Sequence, residues 1–294
     1  MGGHLSVWGN RTLGQLTLPA SHDAGMYLSG FPQSLGRTQS LSIYQQLTAG
    51  VRWFDLRPES KGGKFYIHHG SILGPDLDVV LNDVRRFMAE GHHELVLLKF
   101  SHFDGINAGN YPAMTRQMRD ALSPWLYENL PAGKRLGDIT LADFVRDHGR
   151  VVILCDGGLP VVNKQPGIWC YRDWENRDPQ NGDLCVYDQY SNSTSFETMK
   201  ADQLSKFAAF DGKCRQKPEV PCDLFLLSWT LTPPTGVISF SQKANAQLGD
   251  VMEHIGTLNS HGRRINQVYV DDAGEWLTKV VVKMNCAIIN CGCG

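Results

Sequence analysis

Short β-rich runs alternate with amphipathic helical patterns along almost the whole of this 294-residue chain, and that alternation limits its architecture more than any other feature. Candidate strands fall at residues 16–21, 51–57, 64–69, 94–100, 150–156, 183–190, 224–230 and 267–271. Each is bounded by Gly, Pro or polar residues, as strands usually are. Helical patterns lie between them. Residues 77–90 carry Leu77, Val80, Leu81, Val84 and Phe87 at spacings of three and four, which gives one apolar face. Residues 111–130, 195–210, 241–258 and 275–287 read the same way. Strands that alternate with helices imply a parallel sheet with the helices outside it. With about eight strands and this length, the expected closure is a distorted, TIM-like β/α barrel. No linker or repeat interrupts the pattern. Residues 163–182 read as a long polar loop, and 1–294 as a single domain with a cysteine-containing C-terminal tail.

A formal net charge of −2 argues against a dedicated nucleic-acid binder, which needs a basic surface to displace counterions. A few local cations still suffice for a small anionic substrate. No apolar run approaches a membrane span. The opening Met1-Gly2-Gly3-His4-Leu5 lacks the regions of a signal peptide, so the chain is either intracellular or a mature form with a new start. Cysteine usage favours the second. All 8 cysteines lie in the second half. Cys170/Cys185, Cys214/Cys222 and a link within Cys286–Cys293 are the expected local disulfides, and an extracellular or periplasmic location follows. The rival is a zinc site, but paired CxxC or Cys/His spacings are missing. Asn10-Arg11-Thr12 and Asn192-Ser193-Thr194 match the glycosylation sequon, a pattern common by chance.

Polar clusters sit at strand ends: Ser21-His22-Asp23, Asp55-Leu56-Arg57, His68-His69-Gly70 and Asp271-Asp272. In a barrel the carboxyl ends of the strands form the rim where active sites are built, and closure sets the last strand beside the first. Two histidines, an arginine and several carboxylates would then share one cavity. That set suits attack on a phosphodiester. One imidazole takes a proton from the attacking hydroxyl and another returns one to the departing oxygen, while a guanidinium holds the phosphoryl charge. Carboxylates beside the histidines orient the rings. His68 and His69 alternate on a strand, so at most one faces inward. Taken singly, each element has a plainer structural reading, and Asp55–Arg57 reads equally as an ordinary ion pair. It is their joint placement that argues for chemistry.

The run Leu16-Thr17-Leu18-Pro19-Ala20-Ser21-His22-Asp23-Ala24-Gly25 resembles the opening motif of the phosphatidylinositol-specific phospholipase C X-domain family. The stretch from Gln45 to Arg57, ending Val51-Arg52-Trp53-Phe54-Asp55-Leu56-Arg57, resembles its second motif, and Ile67-His68-His69-Gly70 its third. Their order and spacing agree over roughly the first hundred residues. The resemblance implies cleavage of phosphatidylinositol at a membrane surface by a monomeric enzyme. The inositol 2-hydroxyl attacks phosphorus, releasing diacylglycerol and a cyclic inositol phosphate. Carried over by motif, His22 is the general base and His69 the general acid. Asp23 pairs with His69 or with the phosphate-binding Arg57, Asp271 holds His22, and Asp55 supports the cluster. Lys99, Asp188 and Tyr190 resemble the residues around the inositol ring. Arg57 stands where calcium-dependent members place a carboxylate, which implies the bacterial-type, metal-independent branch with no cofactor. One departure is the strand Ile153-Leu154-Cys155-Asp156, where bacterial relatives carry an arginine. The alternatives are a metal-dependent barrel phosphodiesterase acting on other phospholipids and a non-catalytic barrel that binds lipid headgroups. Residues 26–31 and 233–238 are candidate loops for docking on the bilayer.

Overall fold

A computed structural model describes residues 5–156, 158–175, 182–215, 217–256 and 258–287. Its strands are β1 (Leu18–Ser21), β2 (Trp53–Leu56), β3 (Pro58–Lys61), β4 (Lys64–His69), β5 (Ile72–Asp76), β6 (Leu95–Phe100), β7 (Arg150–Cys155), β8 (Ile168–Asp173), β9 (Leu184–Tyr187), β10 (Leu224–Trp229) and β11 (Gln267–Val270). A closed barrel runs β1-β11-β10-β9-β8-β7-β6-β2, and β3-β4-β5 form a separate three-stranded sheet. Every pairing around the barrel is parallel. The expected barrel is therefore present.

Two buried layers explain why the strands read as nearly continuous apolar runs. Successive side chains on a strand point to opposite faces. Leu18, Ala20, Trp53, Leu95, Leu97, Val152, Leu154, Tyr171, Leu184, Val186, Leu224, Leu226 and Tyr269 fall in one cluster, which fills the barrel. Phe54, Leu56, Val96, Leu98, Phe100, Val151, Ile153 and Phe225 fall in the other, between the barrel and its helices. The helices Leu77–Ala89, Tyr111–Leu122, Phe196–Ala209 and Glu275–Cys286 occupy the expected stretches with trimmed ends, and Val237–Ile255 starts four residues before the expected 241.

Three expectations need correction. The run 64–69 is a strand, but it pairs antiparallel with β3 and β5 outside the barrel. The eighth barrel strand is β8, inside the stretch read as a polar loop; the polar Arg172 and Asp173 at its end hid the buried Ile168, Cys170 and Tyr171. The disulfides Cys170/Cys185 and Cys214/Cys222 do not form, and all four residues, with Cys155, are free and buried. Parallel register sets Arg172, not Cys170, opposite Cys185. The Cys185 sulfur instead contacts both Cys214 and Cys222. Cys286 is disulfide-bonded, while Cys291 and Cys293 lie outside the described residues. No helix among the described residues is long and apolar enough to cross a membrane.

Candidate active site

The inward-facing positions of the barrel strands turn from apolar to charged as each strand reaches its carboxyl end. Beyond Leu18 and Ala20 comes His22; beyond Trp53 come Asp55 and Arg57; beyond Leu95 and Leu97 comes Lys99. Tyr171 is followed by Asp173, Val186 by Asp188 and Tyr269 by Asp271. One alternation thus both fills the core and crowns it with ionisable groups.

The crown is wired through Arg57. Its Nη2 donates to His22 Nε2 at 2.8 Å, and a guanidinium can only donate. His22 Nε2 is therefore the acceptor, and Nδ1 carries the proton it gives to Asp271 Oδ1 at 2.7 Å. Arg57 Nη1 meets Asp23 Oδ2 at 3.1 Å, and Nη2 meets Asp55 Oδ2 at 3.2 Å. His69 Nδ1 lies 3.5 Å from Asp23 Oδ2 and 3.2 Å from the Gly36 carbonyl. A chain of contacts, Asp271–His22–Arg57–Asp23–His69, joins the two imidazoles. The side chains of His22, Arg57 and His69 are 19, 16 and 36% exposed, while Asp23, Asp55 and Asp271 are fully buried. The groups that would touch a substrate are reachable, and those that orient them are sealed.

Strain accompanies this geometry. Asp23 and Asp272 hold left-handed backbone at φ 45° and 51°, conformations uncommon outside glycine and often found at functional sites. Thr38 Oγ1 fixes the first turn by donating to the Asp23 carbonyl at 2.9 Å. Gln39 Nε2 donates to the carbonyls of His22 and Val270, and Gln39 Oε1 accepts from the Ala273 N–H. That one amide clamps the ends of β1 and β11 together.

Electrostatics follow from burial and pairing. Burial disfavours the His22 cation, but Asp271, by charge and hydrogen bond, more than offsets it, and the pKa is raised. Burial pushes the Asp271 pKa up, with His22 opposing. For Asp55, burial is outweighed by Arg57 and Lys99, which hold its carboxyl well below the usual range. Asp55 also accepts from Tyr269 OH at 2.6 Å and from Ser101 Oγ at 3.1 Å. Lys99 is held charged against burial chiefly by Asp188, at 2.7 Å.

Of the expected site residues, His22, Asp23, Asp55, Arg57, His69, Lys99, Asp188 and Asp271 meet in this crown, and Tyr190 does not. His68 does not join it; its ring nitrogens face the carbonyls of Gly70 and His102. Tyr190 is 62% exposed, and its carbonyl accepts from Lys206 Nζ; its ring makes no contact with the crown among the described residues. Several members escaped the sequence reading: Tyr269, Ser101, Gln39, Tyr171, which donates to Asp188 at 2.6 Å, and Asp173. Burial, then the nearby Asp188, raises the Asp173 pKa to about 7.

No family model matches the chain. Among curated proteins, a PI-PLC X-box domain-containing protein of Dictyostelium discoideum is 28% identical over 211 residues, 65% of this chain and 28% of its own length. The 1-phosphatidylinositol phosphodiesterase of Listeria monocytogenes is 32% identical over 92 residues, 30% of this chain and 28% of its own length. The matched stretches thus span under a third of those relatives. Among solved structures, the phosphatidylinositol-specific phospholipase C of Listeria monocytogenes has a TM-score of 0.65 at 20% identity, covering 94% of this chain and 95% of that one. A mutant of the Staphylococcus aureus enzyme has a TM-score of 0.66 at 16% identity, covering 94% and 95%. In sequence the chain is thus related to phosphatidylinositol phospholipase C X-domain proteins, and it is built on the barrel fold of the bacterial enzymes.

Proposed function

We propose that the protein is a metal-independent phospholipase C acting on phosphatidylinositol, with His22 and His69 as its proton-transfer pair. The observation that carries this reading is the Arg57 guanidinium between two oriented imidazoles. A phosphodiester drawn to Arg57 would lie between a ring held by Asp271 and a ring hydrogen-bonded to the Gly36 carbonyl with Asp23 beside it. His22 Nε2 has its lone pair directed at Arg57, so substrate entry must turn Nη2 from His22 to a phosphoryl oxygen. The freed imidazole then takes the proton of the attacking 2-hydroxyl as the new P–O bond forms. His69 gives a proton to the diacylglycerol oxygen as the old P–O bond breaks. Arg57 meets the charge that builds on phosphorus.

Metal independence rests on Arg57 as well. Its fork bridges Asp23 and Asp55, so the carboxylates that would ligate a divalent ion are already neutralised. The inositol reading is supported by Lys99, Tyr171 and Asp188 at the ends of neighbouring strands. Hydrogen-bonding groups of both signs suit an unphosphorylated polyol, and the carboxylates Asp156, Asp173 and Asp188 disfavour added phosphates.

Vesicles of phosphatidylinositol, phosphatidylcholine and sphingomyelin, incubated with the protein in EDTA, test the reading by phosphorus NMR. The expected product is a cyclic inositol phosphate from the first lipid alone. Activity that appears only with added calcium overturns metal independence, and cleavage of the choline lipids alone overturns the headgroup.

A further inference from the structure

At the end of the barrel opposite the active site, three cysteine sulfurs meet in the layer beneath the helices. Cys185 is the second residue of β9, and Cys222 lies two residues before β10. Cys214 stands on the loop that follows helix Phe196–Ala209. The Cys185 sulfur is 3.0 Å from that of Cys214 and 3.2 Å from that of Cys222, and all three residues are buried. Sulfur radii do not allow three neutral thiols to rest comfortably at such separations. A bonding partner that all three share relieves the crowding. A disulfide would use two and strand the third, and the near-equal distances single out no pair.

We propose that Cys185, Cys214 and Cys222 form a three-thiolate site for a thiophilic d10 metal ion, cuprous copper or zinc. Their sulfur atoms lie within 4.8 Å of one another. Seating an ion at the Zn–S distance of about 2.3 Å requires the sulfurs to part by less than about 1 Å. Each thiol gives up its proton on binding. Soft sulfur ligands select these ions over calcium or magnesium. Zinc usually takes four ligands; three sulfurs, with no fourth side chain in the cluster among the described residues, favour cuprous copper.

The surroundings are those of a prebuilt site. The Cys185 N–H donates to Asp223 Oδ2 at 2.7 Å, and Arg135 grips the same carboxylate with two bonds of 2.7 Å. The Cys214 N–H donates to the Val220 carbonyl, and the Cys222 N–H to that of Gly212. The backbone therefore holds each sulfur in place from a different segment. Location suggests what the site does. β9 and β10 pair only through Leu224–Val186 and Phe225–Tyr187, a short seam for a closed barrel. An ion on Cys185 and Cys222 would tie that seam at its amino-terminal end, where barrel residues serve stability rather than chemistry.

The full-length protein, prepared reduced and metal-free, would be titrated with zinc and, anaerobically, with cuprous ion. Bound metal is measured by mass spectrometry and competition with a chromophoric chelator, and Tm by thermal unfolding. The expected result is one equivalent per chain. At a hundredfold excess over Kd, Tm should rise by on the order of 5 °C. C214S and C222S should abolish binding, while C155S and C170S should keep it; the ion that binds more tightly identifies the occupant. Wild-type protein that takes up neither ion overturns the proposal without relying on any variant. So does retention of the ion by C214S/C222S, or a disulfide among the three cysteines in the protein as isolated.

Discussion

His22 owes both its orientation and its readiness to one buried carboxylate. Protonated His22 cannot act as a base, so activity should climb as pH rises through its pKa. Asp271 raises that pKa above the usual histidine value, which places the acidic limb of the kcat/KM profile above about 6.5. In Asp271→Asn the raising influence is removed while burial and Arg57 still oppose the cation, so the limb should move to lower pH. Loss of the fixed tautomer should also cost kcat on the order of 10²-fold or more. A limb that stays in place while kcat falls would show that Asp271 only supports the fold. Much of this site was legible from side-chain type at strand ends, which pointed to His22, Asp23, Asp55, Arg57, His69 and Asp271; Lys99 and Asp188, which the family resemblance implied, meet them. Tyr269 and Tyr171 were not legible, because aromatic residues within strands look like core, and each is both. Their inward parity, one step below Asp271 and Asp173, was the available signal. Gln39 sits in a loop whose position only the closed barrel reveals.

At the scale of elements, the β3-β4-β5 sheet matters because it carries His69 to a barrel it does not join. The sheet docks on the turn after β1 through close approach at Gly25. A Cβ there would stand 2.8 Å from Ile67 Cγ2 and 3.0 Å from Cγ1. Ile67 is buried and stiff at χ1, and it lies two residues before His69. Gly25→Ala should therefore push β4 outward and draw His69 from Asp23. The expected destabilisation is about 1–3 kcal/mol in urea unfolding, with a fall in kcat larger than any change in vesicle binding. Equal kcat in folded G25A would mean that His69 is positioned independently of β4. The same sheet shows where pattern reading runs out. Alternation finds a strand at 64–69 but carries no information about its neighbours, and antiparallel pairing with β3 and β5 is a long-range choice. β8 was missed for the opposite reason, since its polar end belongs to the rim.

At the scale of the whole molecule, the crown opens on one face of the barrel. Loops after β1, β9 and β10 open on the same rim, and large apolar side chains are exposed there. Phe31 is 86% exposed, Leu35 50% and Phe240 41%. Phe31 and Leu35 lie in the loop after β1, and Phe240 lies one turn into helix Val237–Ile255 after β10; β11 is the one strand between β1 and β10, so they share one sector of the rim. Single exposed apolar residues need no explanation, but two aromatic rings exposed on one sector of the rim beside the proposed lipid-cleaving site do. Docking of this rim on a bilayer would bring the phosphodiester plane to the imidazoles while the aromatic rings enter the interface. Full burial of such a side chain contributes about 1.5–3 kcal/mol, so half-insertion of two rings amounts to tenfold or more in affinity. Phe31→Ser combined with Phe240→Ser should therefore weaken binding to phosphatidylinositol vesicles at least tenfold. Hydrolysis of a short-chain substrate below its micelle threshold should be unchanged. A matched loss on both substrates would place the two rings in the fold rather than at the membrane, and unchanged vesicle binding would move the docking face elsewhere on the rim.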